Sequence, residues 1–327
     1  MLKVLYLPIN DHSNVQHGMY DAWRSAGTNM QVYDFYLRFL DTKNKNTVCN
    51  EFLHAVDAFQ PDLIHMQLQM TNIIDSGTLI KARQFCKNKK VILTNWSGDV
   101  RNQASSEIVS VSGVVDYTLI SSTGQIPLYE KAGCRNVKYW QIGYNPKMHY
   151  PRNYKNFDYD VSFIGNAYPH GTFADCGLRL NIISALRRRF GPRFGLFGAG
   201  YPQGQFGPTR SVGPTEVNEM YNKSRCALSV SNYNDISHYF SDRLLTCLAS
   251  GRPTISYRFP AYESYFAHNS DILISHSIDE TISLVEYCIN NPDKATEIGY
   301  LGHRKALSEH TYTSRVIELL SMLQLSV

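Results

Sequence analysis

The sequence holds little that would tie it to a membrane, a metal or an oxidising compartment. No run approaches the roughly 18 consecutive apolar residues of a bilayer-spanning helix, and the first residues lack the apolar core of a signal peptide. The seven cysteines (49, 86, 134, 176, 226, 247 and 288) are scattered, with no Cys-x-x-Cys pair. An odd, dispersed set implies reduced thiols in a cytoplasmic protein rather than a disulfide framework. No Asp-x-Asp pair falls at the carboxyl end of an expected strand, so no metal is expected. Internal repeats and low-complexity tracts are absent. Charge of one sign is also scarce. The net charge is +4 and the pI is near 8.5, short of the value of about 9 that flags a nucleic-acid-binding domain. The densest basic run, RRRFGPR from Arg187 to Arg193, reads as the end of a solvated helix or as an anion-binding face.

What is present describes a folded, two-domain protein. With 43% hydrophobic and 18% charged residues the chain is globular, and 327 residues exceed what one core usually supports. Aromatics reach 12%, with 22 Tyr. They suit large cores, or recognition of sugars, bases or proteins.

The first half alternates short apolar runs with helical periods. KVLYLPI, MQVYDFY, DLIHMQL, KVILTNW, VDYTLIS and NVKYWQI read as strands. Between them, VQHGMYDAWRSAG, TVCNEFLHAVDAFQ, SGTLIKARQFCKNK and TGQIPLYEKAG read as helices, two of them closed by a glycine. The alternation implies a parallel sheet with helices on both faces. GYNPKMHYPRNYKNFD (Gly143 to Asp158) breaks the pattern with Pro, Asn, Tyr and charge, and reads as a linker. A second alternation follows, and TSRVIELLSML closes the chain as a helix. The expected architecture is α/β: residues 1–146 as one doubly wound, Rossmann-like domain, 156–311 as a second, and 312–327 as a helix that crosses back to the first by fold analogy. Ligands of such sheets bind at the carboxyl ends of the strands, so a cleft between two facing sheets is the expected site.

Three strand ends in the second half finish in small residues: FIGN (with Gly165 and Asn166), FGAG (with Gly198 and Gly200) and SVSNYN. Glycine after a strand lets backbone N–H groups come close to phosphate. A tight turn needs glycine for its own reasons, so each loop alone says little. In SDRLLTCLASGRPTISY, Ser241 reads as an N-cap, and Arg243 falls in the first turn of the helix. A cation there opposes the helix dipole at a cost of a few tenths of a kcal/mol, and a bound diphosphate would reverse the sign. An ion pair with Asp242 is the competing reading.

These segments carry a resemblance. DVSFIGN with Arg179 downstream, FGAG, SDRLLTCLASGRPTISY and IGYLGHRKALSEHTYTSR resemble the CgeB-like group of GT-B glycosyltransferases over residues 158–317. The N-terminal half is similar only in its alternation and in the ending VKYWQIGYNP, where Asn145 stands at a position the group fills with Asp. The resemblance implies GT-B architecture and transfer of a sugar from a nucleoside-diphosphate donor, most simply a UDP-sugar, bound by the C-terminal domain. The acceptor would be held by the N-terminal domain, and no metal or other cofactor would be needed. Retaining relatives carry two glutamates here, and the matching positions are His238 and Thr246. Their absence leaves the ribose contact, the donor and the stereochemical outcome open.

Donor-site candidates are therefore Gly165, Asn166, Arg179, Gly198, Gly200, His238, Ser241, Asp242, Arg243 and Thr246, with the two arginines as partners of the leaving diphosphate. For the acceptor's proton the candidates are Asp99, in NWSGDVR after a strand, and His17. A carboxylate partly buried beside Trp96 would have a raised pKa, which suits a base. An Asp that caps the next helix or pairs with Arg101 is the plainer alternative, as is a structural His17. Phage DNA β-glucosyltransferases are similar in placing a base Asp in this domain. A hydroxymethylated pyrimidine in DNA is thus among the acceptors allowed. A non-catalytic nucleotide-sugar binding protein and a nucleotide-sugar epimerase stay open as other classes.

Overall fold

The computed structural model describes residues 1–12, 15–69, 72–86 and 90–326. Two compact units emerge, Met1–Ile142 with Tyr312–Val327, and Gly143–Thr311.

Unit 1 is built on a six-stranded parallel sheet, β1 (Lys3–Leu7), β2 (Asn29–Val32), β3 (Leu63–Met66), β4 (Ile92–Ser97), β5 (Tyr117–Ile120) and β6 (Val137–Tyr139), in the order β2-β1-β3-β4-β5-β6. Its helices are α1 (His17–Ser25), α2 (Phe35–Thr42), α3 (Lys45–Phe59), α4 (Ser76–Phe85), α5 (Ser106–Ser112) and α6 (Ile126–Lys131). The inner strands are apolar at nearly every position because both faces are covered. Leu5, Leu7, Ile64 and Met66 meet Val48, Phe52 and Val56 of α3 and Leu79 of α4. The alternate positions Val4, Tyr6 and Leu63 meet Trp23 of α1, Trp140, and Val316, Leu319 and Leu320 of the C-terminal helix Tyr312–Met322. That helix is fixed by polar bonds too. Trp140 Nε1 donates to the Arg315 carbonyl at 2.8 Å, and Arg315 Nε donates to the Ile142 carbonyl at 3.0 Å.

Two elements depart from the sequence pattern. MQVYDFY is strand only as far as Val32; Phe35 starts α2 instead, and its ring is buried in the core. Tertiary burial of Phe35 outweighs the β-preference of Tyr and Phe. Helix α4 stops at Phe85, and the last expected positions, 87–89, lie outside the described residues.

His65 is fully buried in this core, its Nδ1 at 2.8 Å from Thr94 Oγ1 and its ring stacked on Tyr6. Burial pushes its pKa from 6.5 down to about 3. Between those two values the unfolded chain binds a proton that the folded chain does not, so stability falls as pH falls through this window. By pH 5 the imidazole alone should cost about 2 kcal/mol. Urea unfolding at pH 7.5 and pH 5 should show that loss in the native chain and a smaller one in His65→Gln.

Unit 2 has a five-stranded parallel sheet, β7 (Tyr159–Ile164), β8 (Phe194–Phe197), β9 (Ser224–Ser229), β10 (Thr254–Tyr257) and β11 (Leu273–Ser275), in the order β11-β10-β9-β7-β8. Its helices are α7 (Cys176–Phe190), α8 (Gln203–Phe206), α9 (Pro214–Asn222), α10 (Asp242–Ala249), α11 (Ile278–Asn290) and α12 (Pro292–Glu309). The winding reverses between β7 and β9, which makes their carboxyl ends the switch point of the sheet. Helix α9 begins at Pro214, with Gly213 at its N-cap and Glu216 accepting from the Gly213 N–H. The segment 143–158, which the composition reads as linker, is held on this unit. Asn218 and Asn222 of α9 accept from the backbone N–H of Tyr150 (3.1 Å) and Arg152 (2.6 Å), and Asn222 donates back to the Tyr150 carbonyl. Pro151 packs on Gly251, whose φ of +72° and lack of a Cβ permit the contact.

Candidate functional site

The strand β7 delivers Phe163, fully buried, to the switch point. Two guanidiniums lie over its ring, Arg243 at 4.9 Å and Arg179 at 5.6 Å from the centroid. Arg243 comes from the first turn of α10, where Leu244, Leu245, Cys247 and Leu248 face the core and hold the helix start against the strand ends. Its Nε donates to the Ile164 carbonyl at 2.6 Å and its Nη1 to the Val230 carbonyl at 3.1 Å. The side chain therefore bridges the ends of β7 and β9. Arg179, on α7, is 3% exposed and donates through Nη2 to the Asn166 carbonyl. Burial, and then the neighbouring Arg243, lower its pKa to about 10, so it stays charged at neutral pH. Among the described residues no carboxylate forms an ion pair with either arginine.

The two cations line a cavity of about 230 Å³ together with Gly165, Asn166, Tyr168 and Gly198. One buried and one half-buried positive charge, held by backbone carbonyls and an aromatic ring, are under-compensated, and burial of unmatched charge is costly. The arrangement is suited to a ligand that brings about two negative charges. Tyr168, with its ring 5.8 Å from Arg179, and Phe163 as the platform were missed in the sequence. The spacing of aromatics around FIGNAY was the signal for both.

Other expected residues need correction. Ser241 stands at the N-cap of α10, but its hydroxyl caps no helix N–H and is 3.5 Å from Arg243 Nη1. Asp242 accepts from the Arg243 backbone N–H at 2.8 Å and makes no ion pair with the guanidinium. The N–H groups of Gly165 and Gly198 are already committed, to the carbonyls of Phe197 and Arg210 at 2.9 Å each, so they are not phosphate donors. Instead these glycines let the loops after β7 and β8 touch. A Cβ on Gly198 (φ +137°) would overlap the Gly165 carbonyl, and one on Gly200 (φ +85°) would sit 2.6 Å from the Ala167 carbonyl. Gly200 does not line the cavity. Asn166 links the same loops, with Oδ1 accepting from the Ala199 N–H at 2.9 Å. Thr246 and His238 also lie outside the cavity lining. The Thr246 hydroxyl donates to the Arg243 carbonyl at 3.0 Å, the backbone bond common for Thr in a helix. His238, at φ +59°, sets its ring edge-on to Tyr265.

In unit 1, His17 opens α1 after β1, and Asp99 follows β4, so both sit on the edge where the parallel strands end. Both are exposed. Partial burial of Asp99 beside Trp96, expected from the sequence, does not occur. The indole of Trp96 is buried and donates to the Trp140 carbonyl at 3.1 Å, and it is Gly98 that packs on it. His17 meets the edge of the Tyr20 ring.

Residues 179–321, from Arg179 into the C-terminal helix, match the family described as glycosyl transferase-like. The whole chain superposes on solved glycosyltransferases. An α-glucosyltransferase in complex with UDP-glucose and DNA containing an abasic site aligns over 99% of both chains, with TM-score 0.70 and 10% identity. HepE of Anabaena in complex with UDP and glucose aligns over 99% of this chain and all of its own, with TM-score 0.66 and 10% identity. A glycosyltransferase from Rickettsia africae aligns over 99% of this chain and 98% of its own, with TM-score 0.68 and 11% identity. The chain has the GT-B fold, and its residues 179–321 match the glycosyl transferase-like family. No protein with a curated description matches the chain in sequence. No helix among the described residues is long and apolar enough to cross a membrane. The paired arginines stand at the switch point of the unit that carries most of the family match.

Proposed function

We propose that the enzyme moves a sugar from a UDP-sugar to an acceptor hydroxyl, with Arg179 and Arg243 holding the diphosphate. The observation that carries this reading is the pair of guanidiniums over Phe163, Arg179 buried and Arg243 half-buried, without a carboxylate partner among the described residues. As the bond between sugar and diphosphate breaks, negative charge grows on the leaving phosphate. Fixed cations in a protected site favour that charge more in the transition state than in the bound donor. The arginines supply positive charge to the diphosphate, so transfer without a metal is proposed and should persist in EDTA. Asp99 and His17 are the proposed proton acceptors for the hydroxyl. With Thr246 bonded to its own helix, a ribose contact from that position is not part of the proposal.

The narrower reading takes a hydroxymethylated pyrimidine in DNA as the acceptor, supported by the neighbour solved with DNA. The basic run argues for only a light grip on the phosphate backbone, because Arg189 is paired with Glu286 and Arg193 with Asp160. Binding of such DNA should therefore weaken with salt on a shallow slope.

The test is thermal unfolding with UDP, ADP, GDP and UDP-glucose, followed by UDP release on adding hydroxymethylated DNA. One diphosphate at a hundred times its dissociation constant should stabilise by about 2.7 kcal/mol. No shift with any diphosphate would remove the donor reading. A shift with no UDP release on any hydroxymethylated duplex would remove the DNA acceptor alone.

A further inference from the structure

The strand β8 lies at the edge of the unit 2 sheet, with β7 on one side and no full strand on the other. An open edge is normally covered. Here the cover is partial. Residue Arg210 forms one parallel bridge with Phe197, and its carbonyl accepts from the Gly198 N–H at 2.9 Å. Toward the start of the strand, the short helix α8 and the Gly207–Pro208 turn stand away from β8. The gap is a cleft of about 580 Å³. That volume falls within the range of roughly 300–1,000 Å³ typical of small-molecule sites.

The walls are aromatic. Phe194 and Phe206 are buried side chains of the core, and Tyr159 meets the Phe197 ring edge-on at 5.6 Å. Two arginines lie on this aromatic surface, Arg187 over Phe194 at 5.4 Å and Arg210 over Phe197 at 5.6 Å. Their charges differ in compensation. Arg210 pairs with Glu216 at 2.9 Å. Arg187 donates from Nη1 to the Gly191 carbonyl at 2.8 Å, has no carboxylate partner among the described residues, and keeps a buried Nε with no acceptor. Arg189 and Arg193 of the same basic run are matched by acids, and Arg188, which no acid pairs among the described residues, is exposed to solvent, so Arg187 is the unmatched cation of the run that is partly buried. Burial lowers the Arg187 pKa, consistent with a desolvated cation that lacks a counter-ion.

We propose that this cleft binds a small ring-bearing monoanion, an aromatic carboxylate or sulfonate, with its rings between Tyr159 and the Gly207–Pro208 turn, over the buried Phe194 and Phe197, and its anionic group on Arg187. The site is separate from the arginine cavity and does not depend on the donor reading. Apolar walls supply most of the affinity by burial, and the single uncompensated guanidinium selects charge.

Two fluorescent probes of similar shape test it: 8-anilinonaphthalene-1-sulfonate, an anion, and N-phenyl-1-naphthylamine, which is neutral. The native protein should bind one equivalent of the sulfonate. Arg187→Met should weaken the sulfonate at least tenfold and change the neutral probe less than twofold. Arg187→Gln should behave like Arg187→Met, and Arg187→Lys should return the sulfonate to within about threefold of native, which keeps the test valid if one variant folds poorly. Arg243→Ala should leave both probes within twofold. Sulfonate affinity indifferent to Arg187, or lost in Arg243→Ala, would overturn the proposal. So would several weak equivalents, the pattern of dye adsorbed to the surface.

Discussion

Arg243→Ala is expected to remove most of the stabilisation of the protein by the proposed nucleoside diphosphate. The guanidinium is fixed by two strand-end carbonyls and the Phe163 face, so it needs no rearrangement to meet an anion. A charge-assisted pair of bonds to phosphate is worth about 3 kcal/mol, or on the order of a hundredfold in affinity. At a ligand concentration that stabilises the native protein by about 2.7 kcal/mol, the variant would gain roughly 0.4 kcal/mol. A thermal shift of several degrees would fall to about one. The free protein should change much less. The carbonyls of Ile164 and Val230 lose a donor, and Arg179 loses a repulsive neighbour that lowers its pKa. Arg243→Lys should sit between, since one ammonium cannot brace both carbonyls and still face the ligand. An unchanged ligand shift in Arg243→Ala would place the anion elsewhere.

Gly198→Ala should be the most damaging single-methyl change in unit 2. The residue has φ +137°, and its Cβ would overlap the Gly165 carbonyl. That carbonyl cannot retreat freely, because the Tyr201 hydroxyl donates to it at 2.7 Å. Backbone strain and overlap together should cost about 4 kcal/mol. Differential scanning calorimetry should show the midpoint lowered by roughly 10 °C. Gly204→Ala is the control, with open space around the added methyl and an ordinary helical position. It should change stability by less than about 0.5 kcal/mol. Similar losses at both positions would mean that the contact between the β7 and β8 loops carries no special weight.

Much of this was legible in the sequence. Alternating apolar runs and helical periods gave the two parallel sheets, because inner parallel strands have no polar face to blur the pattern. The place of Arg243 was also legible, since Ser241, the apolar period of α10 and Gly251 bracket one short helix. What was not legible depends on where side-chain heads turn. Nothing in SDRLL says that the guanidinium folds back onto Ile164 and Val230 instead of pairing with Asp242. Glycines at strand ends look alike whether their N–H groups are open or already bonded, and here Gly165 and Gly198 are bonded. Asp99 was misjudged because Gly98, one residue earlier, takes the place against Trp96. Such outcomes are set by contacts between segments remote in sequence, which local patterns do not encode.

The C-terminal helix has a consequence for biosynthesis. Unit 2 is one continuous stretch, 143–311, whereas unit 1 is completed only by residues from 312 onward. Val316, Leu319 and Leu320 cover one face of a sheet whose strands are all made before unit 2. On the ribosome, then, the later segment can close its core first, while the earlier one waits with Trp23 and Trp140 incompletely covered. Domains that fold as units usually do so in order of emergence. Here that order is inverted. The unfinished sheet would be the form exposed to chaperones, and a stalled or truncated message would release a protein with a finished second unit and an apolar, unsealed first one.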